Sequence, residues 1–359
     1  VILAGLFFPL PRAGAAKGPP GIWVTPPPPP GPYGGDPSPA MPPPASAPAK
    51  ERAALRDTLR RMATPLLFMA PALLLTGIFF FAPVVILARI SMTDMSTATG
   101  LTNYQFIGLQ NYLTILRHPN TPGNLWATVR YVLFTLSLFN VGMALVIALL
   151  STHVSRRTGF AFRALWLLPR LTPSVVYIMM WKFIGADAPY GIVNRYILGP
   201  LGVPSANLVN TEPFLFVVLT NGFLGASFGM IVFTSAIESI PKDYMMAALV
   251  DGCSAWQRIR YVIIPMIRWP LLFVTTYQTL SLITSYEQIL LLTDGAGGTE
   301  VWALWSYHRA LNNYWGNFQW GFGAALAMLL VIIGIVMSVI YMRFFRFGDL
   351  VQEPRIEAL

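Results

Sequence analysis

Long apolar runs alternate with short polar and charged segments along most of the chain. Six such runs, at 65–88, 128–150, 164–184, 214–237, 271–292 and 321–342, are each long enough to cross a bilayer as a helix, which takes roughly 20 residues. Prolines and glycines inside them are compatible with membrane helices, where neighbouring helices satisfy the freed backbone groups. The pattern predicts an all-α, polytopic membrane protein with about six transmembrane helices.

The segments outside these runs divide the chain further. Residues 1–49 are rich in proline and cannot bury a core, so we predict a disordered tail, with a proline-rich recognition segment as the alternative. Residues 50–64 are basic and helical in pattern, which is typical of an amphipathic helix at a membrane surface. The membrane domain is predicted to cover 65–346, with a long loop at 240–267, and to be followed by a tail at 347–359.

Composition and charge agree with this class. Charged residues make up 11% of the chain and apolar residues 55%, whereas a soluble domain carries about 25% charged residues. The net charge of +9 indicates orientation rather than nucleic-acid binding, because the basic residues fall between the runs. With a cytoplasmic N-terminus, the inner segments carry fifteen lysines and arginines and the outer loops carry three, Arg117, Arg195 and Arg309. Both termini are therefore predicted to be cytoplasmic.

The sequence contains no motif for nucleotide hydrolysis or metal binding. A GxxxxGK[ST] phosphate loop, an HExxH pair and paired cysteines are all absent, and Cys253 is the single cysteine. His118, His153 and His308 lie far apart in predicted loops, where solvation is the expected role. We therefore expect no catalytic residue, no metal site and no cofactor in this chain.

The long loop after the fourth run has a recognisable internal pattern. Residues 242–250 are predicted to form a short helix that Asp251 and Gly252 end, since glycine tolerates the left-handed turn. Ser254 is placed to cap a second helix, and Pro265 ends or kinks it before the next run. The result is a helix–turn–helix elbow, suited to docking into a groove of a soluble partner. An amphipathic loop resting on lipid is the alternative.

This elbow resembles the hallmark of the membrane subunits of binding-protein-dependent ABC importers, which is EAA, three residues, glycine, nine residues and I-x-L-P. Ala247, Ala248, Gly252 and Pro265 match that pattern. Met246 stands where the family has a glutamate that contacts a basic residue of the ATPase, so this charge is missing or is supplied by Asp243 or Asp251. The resemblance implies ATPase coupling through Tyr244, Met246, Ala247, Ala248, Asp251, Gly252 and Pro265.

Further segments resemble motifs of the carbohydrate branch of this family, and they occur in the same order and with the same spacing as in that branch. They lie at 106–112, 167–194, 292–299 and 322–325. The chain is most similar to the larger permease of a maltose-type pair. The resemblance implies a bacterial or archaeal cytoplasmic membrane, a second permease, two ATPase subunits that bind ATP and magnesium, and an external sugar-binding protein. This chain is then surrounded by lipid, binds no nucleic acid and is not itself an enzyme.

The fourth and fifth runs flank the elbow, so their polar residues are candidates for a sugar pathway, because sugars need hydrogen bonds and apolar stacking surfaces. Gln278, Ser281 and Ser285 are predicted to share a helical face, and Gly225 to leave room for a ring. The resemblance matches Asn221, Gly225 and Ser285 to the maltose-type site, with Leu282 replacing a polar residue. Hydrogen bonds between helices are the alternative role. The full candidate set is Asn221, Gly225, Phe228, Gln278, Ser281, Ser285 and Glu287.

The sequence leaves open the roles of two charged residues inside the runs and the identity of the solute. Arg170 either extends to the membrane interface or contacts a gate or partner. Glu287 is an intramembrane carboxylate and a functional candidate by default. The sequence shows no cationic cluster in the central runs, which argues against a phosphorylated solute. A di- or oligosaccharide is expected, with a polyol or a glycerol-phosphate-type solute as the alternative. A secondary transporter, or a membrane scaffold or receptor, are the other classes considered.

Overall fold

The computed structural model describes residues 65, 67–312 and 316–344. The predicted tails and the surface helix at 50–64 lie outside the described residues. All regular elements in the described part are helices, apart from an isolated β-bridge between Thr93 and Phe106. This agrees with the predicted all-α class.

Besides a π-helical turn at Asn194–Leu198 and a 3₁₀ turn at Ala296–Gly298, thirteen helices organise the described chain, and several of them contain short π-helical stretches. In chain order they are α1 (Leu67–Ile90), α2 (Gln110–Arg117), α3 (Asn120–His153), α4 (Arg156–Leu171), α5 (Ser174–Ile184), α6 (Leu208–Thr211), α7 (Pro213–Glu238), α8 (Lys242–Val250), α9 (Ala255–Met266), α10 (Arg268–Ile283), α11 (Glu287–Leu292), α12 (Trp302–Ala310) and α13 (Trp320–Phe344).

Four of the described helices, α1, α3, α7 and α13, are long and apolar enough to cross a membrane. They cover the first, second, fourth and sixth predicted runs. A fifth span is obtained if α9 and α10, which are bent by 70° relative to each other, are counted together. The described part of the chain therefore contains four or five candidate spans, and the predicted total of about six is not confirmed.

The third predicted span, 164–184, is wrong as a continuous helix because the chain breaks before Pro173. Thr172 adopts an extended conformation with φ −81° and ψ 137°, as expected for a residue whose helical conformation would clash with the following proline ring. Proline also lacks the N–H that would continue the ladder. The chain therefore forms α4 and the short apolar helix α5 in place of one span.

The fifth predicted span, 271–292, is also interrupted. α10 ends at Ile283, and the next helix, α11, starts at Glu287. The Thr284 hydroxyl donates hydrogen bonds back to the carbonyls of Leu280 and Ser281, a local competition that weakens helix continuation. Ser285 therefore lies in the break and not on a helical face with Gln278, which corrects the prediction.

Helices α3 and α7 approach closely along a strip of glycines on α7. A β-carbon at Gly225 would collide with the side chain of Asn140, and one at Gly229 would collide with the Asn140 carbonyl. Small residues at such contacts let backbones pack tightly in membranes. This contact fixes α7 at the centre of the molecule, where 13 of its residues are buried, from Phe216 to Ile237.

The outer loop predicted after the fifth run contains an unexpected buried helix. α12 buries five consecutive residues from Trp302 to Ser306, and the Trp302 indole donates to the Leu326 carbonyl at 3.1 Å. The Ser306 hydroxyl donates to the Gly323 carbonyl at 2.9 Å. These bonds hold α12 against α13, so the segment is part of the core and not a solvated loop.

Candidate functional site

A cavity of about 410 Å³ lies where α7 meets the two broken segments, α4–α5 and α10–α11. The breaks before Pro173 and after Ile283 are therefore the features that open it. Its size is within the range of small-molecule sites. It is lined by Pro169, Arg170, Thr172, Ser174, Tyr177, Asn221, Leu224, Gly225, Tyr277, Gln278, Ser281, Leu282, Ser285 and Gln288.

Asn221 lies at the centre of a hydrogen-bond network at one side of the cavity. Its Nδ2 donates to the Tyr131 hydroxyl, and to Ser285 Oγ at 3.1 Å. Tyr131 Oη donates to Ser285 Oγ at 3.3 Å, and that serine hydroxyl donates to Gln288 Oε1 at 2.9 Å. The network joins α3, α7 and the break after α10. A displacement of Ser285 would therefore change hydrogen bonds to residues of all three segments.

Gln278 and Gly225 form a second contact between α10 and α7. Gln278 Nε2 donates to the Gly225 carbonyl at 2.9 Å. The space beside the Gly225 α-carbon is filled by Asn140, so the predicted room for a ring is wrong. Gly225 contributes backbone to the wall of the cavity. Ser281 also lines it, and its hydroxyl has no hydrogen bond to a described residue.

Phe228 and Glu287 were predicted with this group but are not among the residues that line the cavity. The Phe228 ring packs on that of Tyr277, with centroids 4.8 Å apart, and Tyr277 lines the cavity. Glu287 Oε1 accepts a hydrogen bond from Ser174 Oγ at 2.6 Å, and Ser174 lines the cavity. Both predicted residues therefore support lining residues without facing the cavity.

Tyr131, Ser174, Tyr277 and Gln288 belong to this region and were missed from sequence. Tyr131 and Ser174 lie in the second and third runs, outside the two runs that flank the elbow, whereas Tyr277 and Gln288 lie in the fifth run beside the predicted residues. Tyr131 lies in the second run, where its phenol is one polar atom in a long apolar stretch. A buried phenol or indole needs a hydrogen-bond partner, which is the signal that would have included Tyr131.

The elbow has the predicted geometry. α8 covers Lys242–Val250, and Gly252 follows with φ +74°, in the left-handed region. Ser254 and Gln257 form a reciprocal capping box at the start of α9. Pro265 lies one residue before the end of α9, and the chain then bends by 70° into α10.

Most of the predicted coupling residues are accessible. Tyr244 is 56% exposed and Met246 60% exposed, and Ala247, Asp251, Gly252 and Pro265 are also exposed. Ala248 is the exception, because it is 7% exposed and packs inward. The elbow therefore presents an apolar surface next to an exposed carboxylate, while Ala248 anchors α8.

His308 forms a second polar cluster with two carboxylates, so its predicted role as a solvated loop residue is wrong. Its Nδ1 donates to Glu300 Oε1 at 2.9 Å, and its Nε2 donates to Asp294 Oδ1 at 3.0 Å. Glu300 raises the pKa of His308 through this bond, more than burial lowers it, and Asp294 adds to the increase. Asn124 Nδ2 also donates to Glu300, at 3.0 Å.

Burial alone would raise the pKa of Glu300, but hydrogen bonds from His308 and Asn124 and the charge of Arg309 lower it below its ordinary value. The cluster therefore favours the protonated form of His308, which lies between two carboxylates. Among the described residues, no group of three or more histidine, cysteine, aspartate or glutamate side chains has the arrangement of a metal site.

Comparison with known proteins agrees with the helical architecture and the elbow. Residues 140–347 match the family described as the binding-protein-dependent transport system inner membrane component. The chain belongs to this family. It is accordingly a multi-pass protein of the inner membrane and the membrane component of a binding-protein-dependent transport system.

Individual relatives cover most of both chains. The trehalose/maltose transport system permease protein MalF of Thermococcus litoralis is 25% identical over 78% of this chain and 93% of its own length. The probable starch degradation products transport system permease protein AmyD of Thermoanaerobacterium thermosulfurigenes is 30% identical over 76% of this chain and 91% of its own.

A solved structure shares the fold. It is a bacterial ABC transporter involved in the import of the acidic polysaccharide alginate, and the likeness has a TM-score of 0.67 at 19% identity. It covers 84% of this chain and 100% of the other.

Proposed function

We propose that this chain is one of two permease subunits of a sugar importer, and that ATP hydrolysis on separate subunits drives the transport. The observation that carries the proposal is the cavity at the helix breaks. Asn221, Gln278 and Ser285 offer uncharged hydrogen-bonding groups there, and Tyr277 offers a ring. Such a combination is the usual way in which proteins bind sugars inside a mostly apolar site.

Two relatives support a di- or oligosaccharide as the solute. Their names assign them to trehalose or maltose and to starch degradation products. The candidate pathway residues of this chain are Asn221, Gly225, Gln278, Ser281 and Ser285, with Phe228 and Glu287 supporting the wall. A polyol or a glycerol-phosphate-type solute is the second candidate.

The elbow links the ATPase to the cavity mechanically. α9 bends into α10, and α10 contributes Tyr277, Gln278 and Ser281 to the cavity wall. A displacement of α8 and α9 would therefore move residues that contact the solute. The ion pair of Arg163 with Glu238, at 2.8 Å, joins α4 to the end of α7 beside the elbow. ATPase closure would thereby shift the equilibrium between inward-facing and outward-facing states.

The same proposal assigns the remaining parts of the transporter. ATP and magnesium bind to the two ATPase subunits, and this chain supplies no catalytic group. An external binding protein delivers the sugar, and a second permease completes the path. Both termini lie in the cytoplasm, because the positive residues are concentrated in the segments on that side.

The single cysteine tests the elbow assignment directly. Cys253 follows Gly252 in the turn between α8 and α9 and is partly exposed. A cysteine-to-lysine crosslinker applied to the assembled transporter is expected to join Cys253 to an ATPase subunit, and Cys253→Ala is the control that removes the product. A transporter that assembles and crosslinks to no ATPase subunit would contradict docking at the elbow. A chain that transports without any ATPase would indicate a secondary transporter.

A further inference from the structure

Arg170 places a positive charge on the wall of the cavity. It lies in the last turn of α4, directly before the break at Thr172 and Pro173. Of the residues that line the cavity, it is the one with a charged side chain. Arg170 is exposed in the isolated chain, and a charged side chain within a membrane domain is costly unless an opposite charge or a polar environment compensates it.

The contacts of Arg170 orient the guanidinium group without neutralising it. Its Nη1 donates to Ser227 Oγ at 3.4 Å, and its Cζ lies 5.6 Å from the centroid of the Phe228 ring. Ser227 is itself neutral and donates its hydroxyl hydrogen to the Leu224 carbonyl at 2.7 Å. No carboxylate of a described residue lies within 4.0 Å of this guanidinium.

Glu287 is an acidic residue that contacts the cavity wall. It accepts the Ser174 hydroxyl at 2.6 Å, and Ser174 lines the cavity. Glu287 itself is exposed and is not among the lining residues. The lining of the cavity therefore contains one positively charged side chain and no negatively charged one.

We propose that the solute is an acidic carbohydrate, in which hydroxyl groups bind to Asn221, Gln278 and Ser285 and one carboxylate or phosphate binds to Arg170. This inference rests on the proposed sugar pathway and narrows its substrate class. A planar guanidinium forms two parallel hydrogen bonds to a carboxylate or a phosphate, which a neutral sugar cannot accept in the same way. The anionic group therefore sets the specificity, and the uncharged residues hold the rest of the molecule.

The test compares matched charged and neutral ligands on the complete transporter, held in nanodiscs of zwitterionic phospholipid. The probes are digalacturonate against galactobiose, and glycerol 3-phosphate against glycerol. The wild type is expected to bind at least one acidic probe about tenfold or more tightly than its neutral counterpart, because charge-assisted hydrogen bonds are of this strength. Arg170→Gln is expected to remove that preference by weakening binding of the acidic probe about tenfold more than binding of the neutral probe, while Arg170→Lys retains part of it.

Three results would overturn the proposal. One is equal affinity of the wild type for both members of each pair, and another is a preference that survives in Arg170→Gln. The third is that Arg170→Gln no longer assembles with the partner permease while its preference for acidic over neutral probes is unchanged. That result would mean that the guanidinium binds a carboxylate of the partner subunit. Asn221→Ala separates this inference from the sugar pathway. If it weakens binding of a neutral probe while Arg170→Gln changes no preference, the sugar pathway stands and the acidic class is wrong. If the wild type binds neither acidic probe, the acidic class is likewise contradicted, and the sugar pathway is tested separately by uptake.

Discussion

Asn221 on α7 and Ser285 in the break after α10 are joined by a hydrogen bond of 3.1 Å between Nδ2 and Oγ. The bond crosses between two helices that flank the elbow, and both residues line the same cavity. The pair thus makes a contact between helices and also lines the cavity that we propose as the sugar pathway. Because α10 continues from the elbow, the proposal predicts that movement of the ATPase reaches this pair.

Removing either member of this pair is expected to impair transport more than stability. Asn221→Ala and Ser285→Ala each remove a group that is expected to hydrogen-bond to the sugar, worth about 1 kcal/mol, which corresponds to roughly fivefold weaker binding and lower uptake. Assembly with the other subunits and basal ATPase activity should stay unchanged. Uptake by inverted or right-side-out vesicles and ATPase assays on the same preparations measure the two effects.

Thr276→Ala is the matched control for these variants. The Thr276 hydroxyl lies on α10 as well, but it donates to the Leu272 carbonyl at 2.9 Å within its own helix and does not line the cavity. It should leave uptake near the wild-type rate. If all three variants transported equally well, the sugar path would lie elsewhere, for instance in the partner permease.

A second prediction concerns the turn of the elbow. Gly252 has φ +74° and open space around its α-carbon, so a side chain would strain the backbone without a clash, by about 1 kcal/mol. Gly252→Ala should weaken the coupling of ATP hydrolysis to transport, and Gly252→Pro should abolish it, because proline fixes φ near −65°. Insertion into the membrane should be normal for both.

Gly298 provides the control for this effect. It has the same φ of +74° and equally open surroundings, but lies in the loop before α12. Gly298→Ala is expected to spare coupling while adding comparable strain. Equal loss of coupling in the two alanine variants would mean that general instability, and not the elbow, explains the result.

The close contact of α3 with α7 gives a third prediction. Gly229→Ala would push a methyl group against the Asn140 carbonyl and the Ala144 side chain, and overpacking of this kind costs about 1–3 kcal/mol. The variant should lower the thermal unfolding temperature of the purified chain in detergent. Gly334→Ala on α13, where nothing lies within 4 Å, should leave it unchanged or raise it slightly. A Gly229→Ala variant as stable as Gly334→Ala would contradict the packing.

The cluster of His308 with Asp294 and Glu300 predicts a dependence of stability on pH. The pKa of His308 is raised above 6.5 in the folded protein, so its contribution is complete below about pH 6.5 and is lost as the pH rises through the folded value. The pKa of Glu300 is lowered below 4.5, so its contribution is present above about pH 4.5 and is lost as the pH falls through its folded value.

Both contributions are therefore complete between about pH 4.5 and 6.5. Melting curves measured through this range and above it should show that wild-type stability decreases above about pH 6.5 relative to that of His308→Gln. His153→Gln, a change at a histidine outside the cluster, controls for the removal of an imidazole. Parallel curves for wild type and His308→Gln above pH 6.5 would show that the cluster does not hold the loop to α12.

Several elements could be predicted from sequence because local signals and tertiary structure agree there. The elbow helix at 242–250, the turn at Gly252 and the cap at Ser254 follow from backbone preferences that act over a few residues. The continuous helices α3 and α7 follow from apolar length alone. The formation of these elements depends little on which other helices pack against them.

The breaks and the polar clusters could not be predicted in the same way. Pro173 and Thr284 lie inside apolar runs whose hydropathy is that of unbroken spans, so composition hides the interruptions. The cavity exists because the two helix breaks pack next to each other against α7. Hydropathy along the sequence contains no information on which segments pack together. Likewise, His308 and Asp294 are 14 residues apart, and their pairing depends on how α12 packs on α13.

Reconstitution of uptake tests the central claim most directly. The chain, its partner permease and the ATPase pair are placed in proteoliposomes, with the binding protein and radiolabelled sugar on one side and ATP with magnesium on the other. The account predicts sugar accumulation that requires ATP hydrolysis, persists when ion gradients are dissipated and falls in the Ser285→Ala variant. Accumulation that proceeds without ATP and collapses with the ion gradients would contradict it.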